Sequence, residues 1–225
     1  MIKISNLSMR LKTTGQSLTI LEDIHLEIPE KQFLSIVGPS GSGKSTLLGL
    51  IAGLDRPSEG SVMLDDTSYN DLNENQLAVL RREKMGMVFQ SFHLIPTLTA
   101  LENVQVPLEL QRKKNATPLA RQLLEEVGLS AREHHYPVQL SGGEQQRIAI
   151  ARAYAGKPAF LLADEPTGNL DSKNGERMIN LLLRLHKDQG STFILVTHDS
   201  TLAALADRTI SLQDGRIISD KLNDQ

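Results

Sequence analysis

The chain has 225 residues, of which 40% are hydrophobic and 23% charged, a balance that suits one large globular domain with a core of useful size. A net charge of −3 gives no argument for nucleic-acid binding, and the lack of cysteine excludes disulfides and thiolate metal sites and points to a reducing compartment. The opening MIKISNLSMR alternates polar and apolar residues without the continuous apolar stretch of a signal peptide, and runs such as FILV at 193–196 are too short to cross a bilayer, so the chain is expected not to span a membrane by itself.

In chain order, Ile24, Leu26 and Ile28 alternate with polar residues and predict a strand with one buried face. The run FLSIV at 33–37 predicts a buried strand ending at Gly38, and a helical pattern runs from Lys44 through Leu47, Leu48, Leu50 and Ile51 to Gly53. Residues 85–89 read as another strand. From about 100 to 139 the pattern turns helical and more polar, punctuated by Pro107, Pro118 and Pro137, with Gly128 ending a helix, which predicts an inserted helical subdomain. Buried strands return at 160–163 (FLLA) and 192–196 (TFILV), with helices between and after them, so the core is expected to be a parallel sheet. Ile210, Leu212, Asp214-Gly215 and Ile217 predict a terminal hairpin.

Gly38-Pro39-Ser40-Gly41-Ser42-Gly43-Lys44-Ser45, followed by Thr46, fits G-x-x-x-x-G-K-S between a strand and a helix, the context a phosphate-cradling loop requires. Its glycines let backbone N–H groups approach phosphate oxygens; Lys44 supplies a charge for the β and γ phosphates and the Ser45 hydroxyl can ligate Mg²⁺. The strand at 160–163 runs into Asp164 and Glu165: Asp164 is placed beside Mg²⁺, and Glu165 can take a proton from an attacking water. Gln90 and His198 also follow strands and are expected at the same sheet edge, Gln90 reaching Mg²⁺ or the water and His198 the γ-phosphate. His25, His93, His134, His135 and His186 show no metal spacing.

A second glycine turn lies in LSGGEQQ at 140–146. Ser141 and Glu144 have capping-box spacing, so a helix is expected to start here and run to about Ala155, before Gly156 and Pro158. With Gly142 and Gly143 clearing the approach, its N-terminus forms an anion site lacking a lysine of its own. Nothing in the spacing shows that one molecule brings the two loops together. Three functions remain open on these residues: a transport ATPase, a soluble ATPase acting on DNA or ribosomes, and a nucleotide switch without turnover.

Gly38 to Ser45, Gln90, LSGGEQQ, Asp164-Glu165, Asn169-Leu170-Asp171 and His198 stand in the order seen in ATP-binding cassette (ABC) ATPases, and the resemblance covers essentially the whole chain. It implies an α/β P-loop NTPase (RecA-like) core with an N-terminal antiparallel β subdomain, built from 1–90 and 141–225, and an inserted helical subdomain at about 91–140. It implies ATP and Mg²⁺ as cofactors, with Ser45, Gln90 and Asp164 toward the metal and Glu165, His198, Gln90 and Lys44 in catalysis. By the same resemblance two cassettes pair head to tail, Ser141, Gly143 and Glu144 contact the partner's ATP, and Asp171 lies at the dimer interface. The stretches at 90–104 and 163–171 resemble the subfamily that powers lipoprotein release and macrolide export, which implies a separate membrane permease and a place on the cytoplasmic side of the cell membrane. Phe92, His93, Leu94 and Ile95 are then either the permease contact or subdomain core. Where many members carry an aromatic residue against adenine, this sequence has Leu11.

Overall fold

The computed structural model describes residues 1–13, 16–168 and 172–223. β1 (Ile2–Thr13), β2 (Gln16–Ile28) and β3 (Phe33–Val37) lead into α1 (Lys44–Ile51); β4 (Glu59–Leu64), β5 (Thr67–Ser68), α2 (Glu74–Lys84) and β6 (Met85–Val88) follow. Three helices come next, α3 (Ala100–Leu110), α4 (Ala116–Glu126) and α5 (Gly142–Ala155). β7 (Phe160–Asp164), α6 (Ser172–Gln189), β8 (Thr192–Val196), α7 (Ser200–Ala203), β9 (Arg208–Gln213) and β10 (Arg216–Leu222) complete the order. The chain divides into two units, Met1–Arg81 with Thr192–Gln225, and Arg82–Ser191.

In the first unit, β2, β1, β4 and β5 form an antiparallel sheet. Its register sets Ile2 opposite Ile28 and Leu64, and Ile4 opposite Leu26 and Val62, so the apolar alternation becomes one buried face. A second set of strands runs in the order β10, β9, β3, β8, with β3 parallel to both β8 and β9. Every residue of β8 is buried, as are the first four of β3, the pattern of strands covered on both faces. Phe33 and Phe193 stack across this pair with centroids 4.6 Å apart. The expected terminal hairpin is present: β9 and β10 are antiparallel, and Asp214 (φ 48°) and Gly215 (φ 76°) supply the two left-handed residues of a tight turn.

In the second unit, β6 and β7 pair in parallel, Met85 with Phe160 and Val88 with Ala163. α3, α4 and α5 bury Leu101, Val104, Leu108, Leu124 and Ile148 in a core of their own. α3 starts at a capping box made by Thr99 and Glu102. α4 ends as Gly128 predicts, with Gly128 N–H donating to Glu125 O and Leu129 N–H to Leu124 O, the paired bonds of a Schellman closure. Pro107 differs from expectation: it lies inside α3 and ends nothing, because Val104 and Leu108 on either side are fully buried and hold the helix in place. α5 lies directly on β6. A Cβ at Gly86 would come 2.3 Å from the Ala153 carbonyl oxygen and 2.8 Å from the Pro158 ring.

That contact sets a first prediction. Gly86→Ala is expected to force α5 away from β6 and to lower stability by about 1–3 kcal/mol, as overpacking of a tight core does. Urea unfolding should show a lower midpoint at unchanged slope; an unaltered midpoint would mean that the helix shifts freely.

Candidate functional site

The phosphate loop belongs to the first unit. β3 stops at Val37 and α1 begins at Lys44, so residues 38–43 cross from strand to helix as the motif requires. Gly43 caps α1 with φ 100°, and a Cβ there would meet the Leu21 side chain at 2.8 Å and the Ile20 carbonyl oxygen at 2.9 Å. A Cβ at Gly38 would come 2.0 Å from the Leu212 carbonyl oxygen. The loop is thus bare backbone pressed onto β2 and β9. The Lys44 ammonium is drawn across it, donating to Gly38 O at 2.9 Å and Pro39 O at 2.8 Å. The Ser42 hydroxyl is buried with no hydrogen-bond partner, an acceptor-hungry group inside a phosphate cradle, while Ser45 is exposed and Thr46 half-buried at the head of α1.

His198 follows β8, which runs parallel to β3, so it leaves the same carboxyl edge of this sheet as the phosphate loop. It is exposed, and its neighbours are fixed: Asp199 caps α7 by accepting from Thr201 N–H at 2.7 Å, and Thr197 Oγ1 accepts from Asp199 N–H at 3.0 Å. At the tip of the first hairpin, Leu11 faces Leu18 across β1 and β2, exposed by 43% and 58%. This pair offers aliphatic surface and no ring.

Three further candidates gather in the second unit. β6 and β7 are parallel neighbours, so Gln90, Asp164 and Glu165 leave one edge together. Asp164 is the last residue of β7 and half-buried. Glu165 takes a left-handed φ of 44° and opens a turn closed by Gly168 N–H donating to Glu165 O at 3.0 Å. The Gln90 amide lies against that turn, with Nε2 2.9 Å from where a Cβ on Gly168 would sit. Beyond Gln90, Phe92 (φ 59°) and His93 (φ 47°) are both left-handed. The Arg152 guanidinium on α5 donates to both of their carbonyls, a contact without a sequence signal because it spans about sixty residues. Leu94 packs against the helical core, whereas Ile95 is exposed.

The second glycine turn heads α5 as its spacing predicts. Ser141 Oγ accepts from Glu144 N–H at 3.3 Å, while the Ser141 N–H and hydroxyl donate to Glu144 Oε2 at 2.9 and 2.8 Å. Arg132 Nε donates to Glu144 Oε1 at 3.0 Å. The Ser141 N–H first, then its hydroxyl and Arg132, hold the Glu144 carboxyl down at about 2. Gly142 stays exposed beneath the Phe92 ring, whose tip is 3.8 Å from where a Cβ would sit, and Gly143 is half-buried. Asn169, Leu170 and Asp171 lie outside the described residues. Among the described residues no three histidines or carboxylates cluster to hold a metal unaided, and no helix is long and apolar enough to cross a membrane.

The profile of the ABC transporter family matches residues 21–168. The chain belongs to that family, as its ATP-binding cassette, an ATPase. It is 47% identical to the uncharacterized ABC transporter ATP-binding protein MJ0796 of Methanocaldococcus jannaschii, over 96% of this chain and 95% of that one. It is also 47% identical to the lipoprotein-releasing system ATP-binding protein LolD of Bordetella pertussis, over 89% of this chain and 88% of that one. A solved dimeric structure of MJ0796 in a post-hydrolysis state, bound to ADP and Pi, matches with TM-score 0.94 and 43% identity over the whole of both chains. The α/β cassette fold expected from the sequence is therefore the fold of this protein.

The capping carboxylate yields a pH prediction. With its folded value near 2 and an ordinary value near 4.3, ionised Glu144 stabilises α5 fully above about pH 4.3 and loses that contribution as pH falls toward 2. The stability difference between wild type and Glu144→Gln should therefore shrink from pH 5 to pH 2, followed by denaturant midpoints at each pH. A difference constant across that window would remove Glu144 as the titrating cap.

Proposed function

We propose that this cassette works as a head-to-tail pair on the cytoplasmic face of a membrane and drives a separate permease of the lipoprotein-release or export type. The observation that carries the hydrolytic part is the packing of the Gln90 amide against the turn that presents Glu165, one residue beyond Asp164. In this reading the glycine-loop N–H groups and Lys44 hold the β and γ phosphates of ATP. Glu165 accepts the proton of a water that Gln90 orients, the water oxygen bonds to the γ phosphorus, and the bond to the β-phosphate oxygen breaks to leave ADP and phosphate. His198 donates to the γ-phosphate as its charge builds. Ser45, Gln90 and Asp164 offer a hydroxyl, an amide oxygen and one carboxylate, a hard-oxygen set suited to Mg²⁺ completed by phosphate and water. A Mg²⁺ held by these residues would supply charge neutralisation for the phosphates.

The subfamily and partner readings rest on the LolD relative, on LSGGEQQ, and on a groove beside the loop after Gln90. That groove, of about 350 Å³, is lined by Met87, Phe89, His93, Val106, Pro107 and Leu110, a mostly apolar seat for a short helix of the permease. His93, and not Leu94, faces it. Leu11 and Leu18 would give the base aliphatic contact alone, so affinity is assigned to the triphosphate.

Glu165→Gln tests the chemistry. Amide replaces carboxylate at nearly constant shape, so steady-state phosphate release should fall by at least about 100-fold, the scale of general-base assistance. ATP affinity should stay within about tenfold, or about 1.4 kcal/mol. Turnover near the wild-type level would exclude Glu165 as the base.

Pairing has its own test. Lys44→Ala damages a chain's own loop, and Ser141→Arg damages the turn it offers a partner, by crowding it and disturbing the cap. With Glu165→Gln in both chains, either variant alone should trap no ATP. A mixture should, because one of its two sites combines an intact Lys44 with an intact Ser141. Trapping no higher in demonstrated mixed pairs than in either variant alone would exclude pairing in trans.

A further inference from the structure

The loop after Gln90 holds two consecutive non-glycine residues, Phe92 and His93, at φ 59° and 47°, a conformation L side chains rarely adopt and seldom twice in a row. What secures them comes from α5. The half-buried Arg152 donates from one guanidinium nitrogen to His93 O at 2.6 Å and from the other to Phe92 O at 2.9 Å. One planar fork thereby reaches two successive peptide groups from two separate nitrogens held at a fixed angle, whereas an ammonium would have to serve both from one atom. Around this clamp the loop is pinned at both ends. On one side the His93 ring meets Phe89 edge-on at 4.8 Å, and on the other Asn103 exchanges hydrogen bonds with Ile95, accepting at 2.8 Å and donating at 3.1 Å. The Gln90 amide rests on the Glu165–Gly168 turn, and the tip of the Phe92 ring lies over Gly142 in the signature turn.

We propose that Arg152 is the positioning residue of the reaction, its fork holding the Phe92 and His93 carbonyls so that Gln90 stays against the turn that bears Glu165 while Phe92 stays over Gly142. This rests on the reading of Gln90 and Glu165 given above. In this reading Arg152 acts through the loop and is assigned no contact with the nucleotide. Its loss should release the loop and slow the chemical step without weakening ATP, whose triphosphate is assigned to a different segment of the chain.

The test uses the full-length chain with Arg152→Lys and Arg152→Met. Lysine keeps the charge but loses the rigid two-nitrogen fork, and methionine keeps the bulk without charge or donors. For the lysine variant, amide hydrogen exchange across residues 91–95 and 166–168 should quicken by about tenfold, kcat for phosphate release should fall by a similar factor, and ATP affinity should remain within about twofold. Methionine should deepen the first two effects and spare the third. Exchange unchanged in Arg152→Lys would overturn the clamp. Faster exchange with kcat intact would overturn the positioning role, as would a loss of affinity equal to the loss of kcat. Should methionine prevent folding, the lysine variant decides alone. A wild-type chain that releases no phosphate would instead sink the ATPase reading, and the exchange pattern would still decide whether Arg152 holds the loop.

Discussion

Close approach of bare backbone to bare backbone governs the phosphate loop, and the rest of its unit is arranged to permit it. Gly38 abuts the Leu212 carbonyl, Gly43 abuts Ile20 and Leu21, and Gly215 in the β9–β10 turn abuts Ile20. Hydrogen bonds tie the same pieces: Gly215 N–H donates to Ser42 O, and Glu22 N–H donates to Gly215 O. The terminal hairpin is therefore a brace for the loop. A turn that sequence marks only as Asp-Gly punctuation supports the residues assigned to phosphate. Pre-organised N–H donors are effective because they need not reorganise when charge arrives, and here preorganisation is purchased with positions that tolerate no side chain.

The second unit solves a different problem with the same materials. It presents a glutamine, two adjacent acids and a helix N-terminus, all polar, on a frame with an apolar core of its own. α5 carries much of that load. Its first turn is closed by Ser141 and Glu144, its middle buries Ile148 and Ile150, and its last turn lies on β6 at Gly86. One helix thus joins the signature turn to the strand that leads to Gln90, in a stretch of 14 residues.

Much of this was legible in the sequence wherever the signal is local. The buried run at 33–37, the capping box at Ser141, the Schellman glycine at 128 and the Asp-Gly hairpin each depend on neighbours within a few residues, and each is present. Composition alone did not separate the possible nucleotide enzymes; the ordered motifs did. What escaped reading is long-range. Pro107 suggests an interruption, yet burial of Val104 and Leu108 in the three-helix core keeps α3 continuous. Leu94 and Ile95 are equivalent as letters, and only the packing of α3, α4 and α5 sends one inward. The left-handed Phe92 and His93 carry no glycine or asparagine to announce them, and the side chain that bonds their carbonyls, Arg152, lies far along the chain.

The charge state of Glu144 has a consequence for what the signature turn can attract. A carboxyl held near 2 is fully ionised at neutral pH, so the helix end carries its own counter-ion within the first turn. Arg132, paired with the same carboxylate at 3.0 Å, makes the charges here mutually compensating, and screening by salt over about 8–10 Å removes much of what remains. Such a surface recruits little from solution. In the proposed pairing it would act by contact, through N–H groups that meet a phosphate once a partner has brought it there. In the proposed pair, the turn would meet an anion delivered on a docked surface rather than one drawn from solution.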